Sequence, residues 1–238
     1  MKALTGRGRG NRRLLLAVTL VLVAAGASAQ SGMGIYGGLN LGFGQFGADI
    51  SQRIPNWDST YTTLSHKTRF NAFALTPVVG ITPFRGHSSS LVDKLAFEFQ
   101  LAMKWGKFDY TWGAISGSEI RPSILAKFNF SIADWAGLFG ASGPTWGDRL
   151  VTFGGVGFGI PIRTAKLSYS TAYKESYENY GVELSNSKTT KGGFQILMEY
   201  GLGFQINDKF SLNWTMVGLG FIGHFTYDMT LGANYHFR

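Results

Sequence analysis

The sequence predicts an all-β protein, an eight-stranded antiparallel transmembrane β-barrel with up-and-down meander connectivity, preceded by a cleaved export signal. Three observations predict it. Apolar residues recur at every second position in eight separate runs, the period of a strand with two unlike faces. Beyond the N-terminus, no apolar run approaches the roughly 20 residues that a helix needs to span a bilayer. The composition combines 33 Gly, 19 Phe, 10 Tyr and 6 Trp with only 15% charged residues, which suits a wall facing lipid outside and water inside.

The chain opens with Lys2, Arg7, Arg9, Arg12 and Arg13, an apolar run from Leu14 to Ala25, and the small residues Ala27-Ser28-Ala29. This is the pattern of a secretory signal peptide over residues 1–29, too short for a permanent helical anchor. Cleavage after Ala29 leaves residues 30–238 as one barrel domain with 17 Lys and Arg against 14 Asp and Glu. The high isoelectric point therefore belongs mostly to the signal, and no nucleic-acid partner is expected. The chain has no cysteine, which excludes a disulfide-stapled domain and a lipid-anchored lipoprotein.

Each strand follows from its alternation. Weaker patterns cover Met33–Gly44 and Arg69–Thr82. From Lys94 to Trp105 one face carries Leu95, Phe97, Phe99, Leu101, Met103 and Trp105, the other Lys94, Ala96, Glu98, Gln100, Ala102 and Lys104. Over Ile120–Ile132, Ile124, Ala126, Phe128 and Phe130 oppose Arg121, Ser123, Lys127, Asn129 and Ser131, with Pro122 near a strand end where proline is tolerated. Leu150–Ile162 is weaker. Phe194–Ile206 sets seven apolar residues against Gln195, Leu197, Glu199, Gly201, Gly203 and Gln205. Phe210–Ile222 is weaker again, and Tyr227–Phe237 alternates to the end of the chain.

Both termini then fall on the periplasmic side. The outer loops become 45–68, 106–118, 163–192 and about 219–224; the inner turns become 83–93, 133–149 and 207–209. Asn207-Asp208-Lys209 is a compact polar turn.

The signal peptide, the opening Gly34-Ile35-Tyr36-Gly37-Gly38-Leu39-Asn40-Leu41-Gly42 and the aromatic-alternating last strand resemble the small outer-membrane barrels of the OmpA-barrel, OmpX and OmpW type. The resemblance covers the whole mature chain. It implies residence in the cell outer membrane and contact with membrane lipid and a lipopolysaccharide-type glycolipid. It also implies delivery by the barrel assembly machinery, and a monomer. Such barrels usually end in Phe, whereas here Arg238 follows Phe237. No peptidoglycan-binding domain is expected after the last strand.

A Gly-x-Gly-x-x-Gly pattern occurs at Gly32, Gly42 and Gly218. Three matches without a following helix discredit a dinucleotide site, so no cofactor is expected. His66, His87, His224 and His236 are dispersed, which gives no metal-ligand spacing. His224 and Asp228 lie near the outer end of the last hairpin, but no serine sits between them and no nucleophile elbow is present. The chain is read as non-enzymatic, with a lipid-modifying enzyme as a remote third reading.

The inward charges Glu98, Lys104, Arg121, Lys127, Glu199 and Asp228 are the lumen or gate candidates. In a barrel this narrow they must pair. Glu98 and Glu199 are expected to bridge to Lys127 at mid-depth, with Lys104 and Arg121 nearer the outer mouth. Tyr110, Trp112, Tyr173, Tyr177 and Tyr180 are surface-loop candidates for binding an extracellular partner. The functional expectation is a narrow or gated channel for small solutes. The alternative is a closed barrel that presents surface loops for binding, adhesion or envelope structure.

Overall fold

The computed structural model describes residues 34–55, 61–83, 91–141, 143–144, 146–179, 181, 183–221 and 224–237. The expected signal peptide lies outside them.

Among the described residues, ten strand segments form one antiparallel sheet: β1 (Gly34–Pro55), β2 (Tyr61–Thr82), β3 (Leu95–Tyr110), β4 (Gly113–Ser131), β5 (Leu150–Gly159), β6 (Ile162–Tyr169), β7 (Ser187–Gly192), β8 (Gln195–Gln205), β9 (Phe210–Phe221) and β10 (His224–Phe237). Eight of them, β1 to β5 and β8 to β10, pair in succession, and the β1–β10 and β3–β4 ladders close the ring. β6 continues β5 past Ile160-Pro161, and β7 leads into β8 past Gly193-Phe194, so β4 pairs first with β5 and then with β6. The structure is thus an eight-stranded up-and-down barrel with two strands interrupted at one level.

Within the ring, alternation places apolar residues on the outside. Leu39, Leu41, Phe43, Phe73, Phe97, Phe99, Trp105, Ile124, Phe128, Phe158, Met198, Leu202, Leu212 and Leu231 are all exposed there. On β3 the band runs from Leu95 to Trp105. Ten steps of ~3.4 Å, tilted by ~40–45°, give about 25 Å, the height of the apolar band on an outer-membrane barrel.

Above this band the strands continue, contrary to the expected loops 45–68 and 106–118. β1 and β2 pair up to Pro55–Tyr61, and β3 and β4 pair up to Tyr110–Gly113, leaving only Thr111-Trp112 between them. In place of the expected loop 163–192, β6 and β7 form a hairpin that holds a short helix, α2 (Thr171–Glu178), at its tip. Outward alternation at these levels is polar, so they did not read as lipid-facing strand. Gln45, Arg69, Asn71, Lys107, Asp109, Thr164 and Lys166 occupy the outer face, while Phe46, Ala48, Ile50, Phe70, Ala72, Ile115, Ala165 and Leu167 form an inner apolar cluster.

β10 pairs with β1 over Ile35–Gly44, and β2 pairs with β3 up to Phe73–Trp105. The region above is therefore a β1–β2 hairpin lying face to face with a β3–β4–β6–β7 sheet, a small sandwich on top of the ring. An exposed Lys191–Asp49 pair at 2.8 Å ties its two halves across the β1–β7 side.

At the opposite end, a 3-10 turn (Val92–Lys94) precedes β3, and α1 (Ile132–Leu138) fills the long connection expected as a turn at 133–149. Asn207 Oδ1 accepts from the Lys209 and Phe210 amides, which fixes the tight β8–β9 turn.

Candidate functional site

The lumen is filled in layers. Nearest the end that carries the termini, Glu98 from β3 accepts from the Tyr36 hydroxyl at 2.7 Å, from Gln100 Nε2 at 2.6 Å and from Lys127 Nζ at 3.1 Å. Lys127 also pairs with Glu199, which accepts a second bond from Gln100, and the Lys127 ammonium lies 4.3 Å from the centroid of the Phe153 ring. Glycine makes the room: a Cβ on Gly80 would fall 2.0 Å from the Tyr36 ring, and one on Gly155 2.8 Å from Lys127 Cγ.

The next layer is apolar. Leu125, Leu197 and Val217 pack together there as a small buried cluster.

Beyond it lies a second ion cluster. Lys104 Nζ contacts Glu119 Oε1 at 2.9 Å and Asp228 Oδ1 at 2.6 Å, and Arg121 Nη2 donates to Asp228 Oδ2 at 2.8 Å. Arg163 Nε donates to Glu119 Oε2 at 2.6 Å. Lys104 and Arg121 are 0% and 1% exposed. Across the two clusters, four carboxylates (Glu98, Glu119, Glu199, Asp228) face four cations (Lys104, Lys127, Arg121, Arg163), so the charges of the two clusters together cancel. That neutrality matters because a buried charge without a partner costs several kcal/mol. The stacked Phe46–Phe70 rings, 5.0 Å apart, follow as the floor of the sandwich.

Two cavities flank these layers. One, about 510 Å³, opens beside the sandwich among Asp49, Arg163, Thr189, Lys191, Gln195 and Thr226. The other, about 450 Å³, lies at the termini end among Tyr36, Lys94, Glu98, Lys127, Asn129 and His236.

All six lumen candidates come together here: Glu98, Lys127 and Glu199 in one cluster, Lys104, Arg121 and Asp228 in the other. Sequence reasoning missed Tyr36, Glu119, Arg163 and Leu125. Glu119 and Leu125 continue the inward phase of Arg121, Ser123 and Lys127, and Arg163 continues that of β5 through Pro161. Asp228 is engaged by two cations in the lumen, and the His224 side chain lies outside the described residues. His236 sits at the other end, its Nε2 2.9 Å from Ser211 Oγ.

The surface candidates assemble at the tip. Tyr110 ends β3 and Trp112 lies in the β3–β4 turn, rather than in an extended loop, and their rings stack at 4.7 Å and 8°. The series continues from Trp112 to Tyr169 at 5.7 Å, from Tyr169 to Tyr173 at 5.9 Å and from Tyr173 to Tyr177 at 4.9 Å. Trp112 and Tyr169 pack on the sandwich core, whereas Tyr110 and Tyr177 are exposed. Tyr180 lies outside the described residues.

No family model matches the chain, and no curated protein matches it. Among solved structures, it is similar to the outer membrane protein OprG from Pseudomonas aeruginosa at 14% identity, with a TM-score of 0.45, over 85% of this chain and 96% of that one. It is also similar to Neisserial surface protein A at 8% identity, with a TM-score of 0.43, over 86% and 97%. A third likeness is to Ail, the attachment invasion locus protein of Yersinia pestis, at 15% identity with a TM-score of 0.41 over 85% and 98%. These are likenesses at low identity to small outer-membrane barrels, the type that the sequence resembles.

Proposed function

We propose that this protein is a non-enzymatic outer-membrane barrel with a closed lumen, whose work is to hold a folded sandwich and its aromatic tip clear of the membrane for binding. The observation that carries this reading is the buried Leu125–Leu197–Val217 cluster between two ion clusters whose opposite formal charges cancel only together. A hydrophobic constriction can block ions by dewetting. At the tip, stacked rings supply large contact area at low entropic cost. A rigid base for them fits presentation better than transport.

The channel reading keeps one specific support: cavities of about 510 and 450 Å³ lie toward the two ends of the lumen, so a path needs the apolar cluster and the Lys104–Glu119–Arg121–Asp228 cluster between them to open. Single-channel recording of the refolded mature chain in planar bilayers separates the two readings, with folding verified by the boiled-versus-unboiled gel shift. Folded, silent barrels support the closed scaffold. Discrete conductance steps overturn it in favour of the channel, and then Lys127→Met should raise the conductance.

A further inference from the structure

The connection between β4 and β5 is built as a small rigid body with apolar side chains left uncovered. Ser131 and Asp134 close a capping box at the N-terminus of α1: Ser131 Oγ accepts from the Asp134 amide at 3.0 Å, and Asp134 Oδ2 accepts from the Ser131 amide at 2.7 Å. Phe130, just before the cap, packs against Trp135 at 5.1 Å as a hydrophobic staple. At the other end Gly140, with φ +70°, lets the Ala141 amide reach the Ala136 carbonyl at 2.9 Å and its own amide reach Gly137, the Schellman closure. Lys94 ties the unit to the neighbouring turn through Asp134 at 2.7 Å, and the Ile132 amide donates to Gly147 O across the base.

This rigid unit leans on the outer wall of the ring. Trp135 Nε1 donates to Thr152 Oγ1 at 2.8 Å, and Thr152 belongs to the outward face of β5, in phase with Val156 and Phe158. Yet Leu138, Phe139 and Trp146 are 64%, 83% and 55% exposed. A capped helix that displays such residues while fastened to the lipid-facing wall continues the apolar band below the strand ends.

We infer that this connection is a lipid-docking element, whose Leu138, Phe139 and Trp146 insert into the headgroup–acyl boundary of the phospholipid leaflet at the termini end. Trp is at home at that depth, and a short amphipathic segment lies in that plane without crossing it. The occupant is lipid because the surface is continuous with the band that lipid already covers. The inference rests on the membrane-barrel reading.

The absence of cysteine makes the test direct. Single variants Leu138→Cys, Phe139→Cys, Phe99→Cys and Lys107→Cys would carry a nitroxide in phosphatidylethanolamine–phosphatidylglycerol bilayers, each checked by the gel shift. Collision with oxygen is then compared with collision with a water-soluble nickel chelate. At residues 138 and 139 oxygen should dominate several-fold, less strongly than at 99, while the chelate dominates at 107. Labels at 138 and 139 that behave like 107, or that are shielded from both probes, would overturn the docking element. Chelate dominance at 99 would instead overturn the membrane reading beneath it.

Discussion

The ring and the sandwich are built from the same strands in the same phase, yet they are opposites. On β1, Leu39, Leu41 and Phe43 face out and Asn40 faces in; two residues further on, Gln45 faces out and Phe46 faces in. The switch falls between Phe73 and Asn71 on β2, between Trp105 and Lys107 on β3, and between Ile162 and Thr164 across the start of β6. Registers place Phe43 opposite Phe73, Phe73 opposite Trp105, and Gln45 opposite Asn71, so the reversals on β1, β2 and β3 share one register. On β6, Thr164 lies opposite Ser118, itself the partner of Trp105, so the reversal there falls one residue pair nearer the termini end. Alternation tells a chain only that it has two faces. Which face turns apolar is set by the solvent outside: hydrocarbon around the ring, water around the sandwich.

Four predictions sharpen or break this contrast. Phe70→Ala removes a fully buried ring that touches both Phe46 and Phe108, and should cost the sandwich about 3–5 kcal/mol. Limited proteolysis and hydrogen exchange should show the upper region loosened while the ring keeps its gel shift; loss of the whole barrel would mean that the two regions are one cooperative unit. Glu119→Gln leaves Lys104 and Arg121 with Asp228 alone and takes from Arg163 the carboxylate it pairs with, and its cost should be about 3 kcal/mol, read as a lower urea midpoint of the entire ring.

Phe99→Arg places a charge near the middle of the lipid band and should cost about 2–4 kcal/mol in reversible unfolding. The outward Lys107→Phe, by contrast, should stay within about 0.5 kcal/mol; equal effects would remove the boundary drawn between them.

The smallest effect belongs to Asp134. Burial alone would raise its pKa, but hydrogen bonds from Lys94 and Ser131 hold the carboxyl below the usual aspartate value. A depressed carboxylate stabilises the fold above the unfolded-state pKa and loses that contribution as pH falls through the folded value. Exchange protection of the α1 amides should therefore weaken at strongly acidic pH, and Asp134→Asn should flatten that dependence.

Much of the ring was legible because its outward face is apolar along whole strands: Leu95 to Trp105 and Phe194 to Ile206 announce themselves. The upper halves look like loops in the sequence because alternation there is carried by pairs such as Phe46 and Gln45, whose polar member faces out. The lumen charges were legible as inward residues, and the pairing of Lys127 with two carboxylates followed from the need to neutralise them. Glu119 and Arg163 were hidden by strand ends drawn one step short. Tyr36 was masked by the glycines around it, although Gly80 and Gly155 make the space that lets the lower cluster form.

The closeness of those reversals along the barrel also acts as a mechanical stop. Moving the barrel toward its termini end by one pair of residues, about 7 Å along a strand, would carry Gln45, Asn71, Lys107 and Thr164 toward hydrocarbon. The opposite shift would lift Phe43, Phe73 and Trp105 into water. The protein is thus held at one height, and a membrane of different thickness would have to adjust its lipids around a fixed collar.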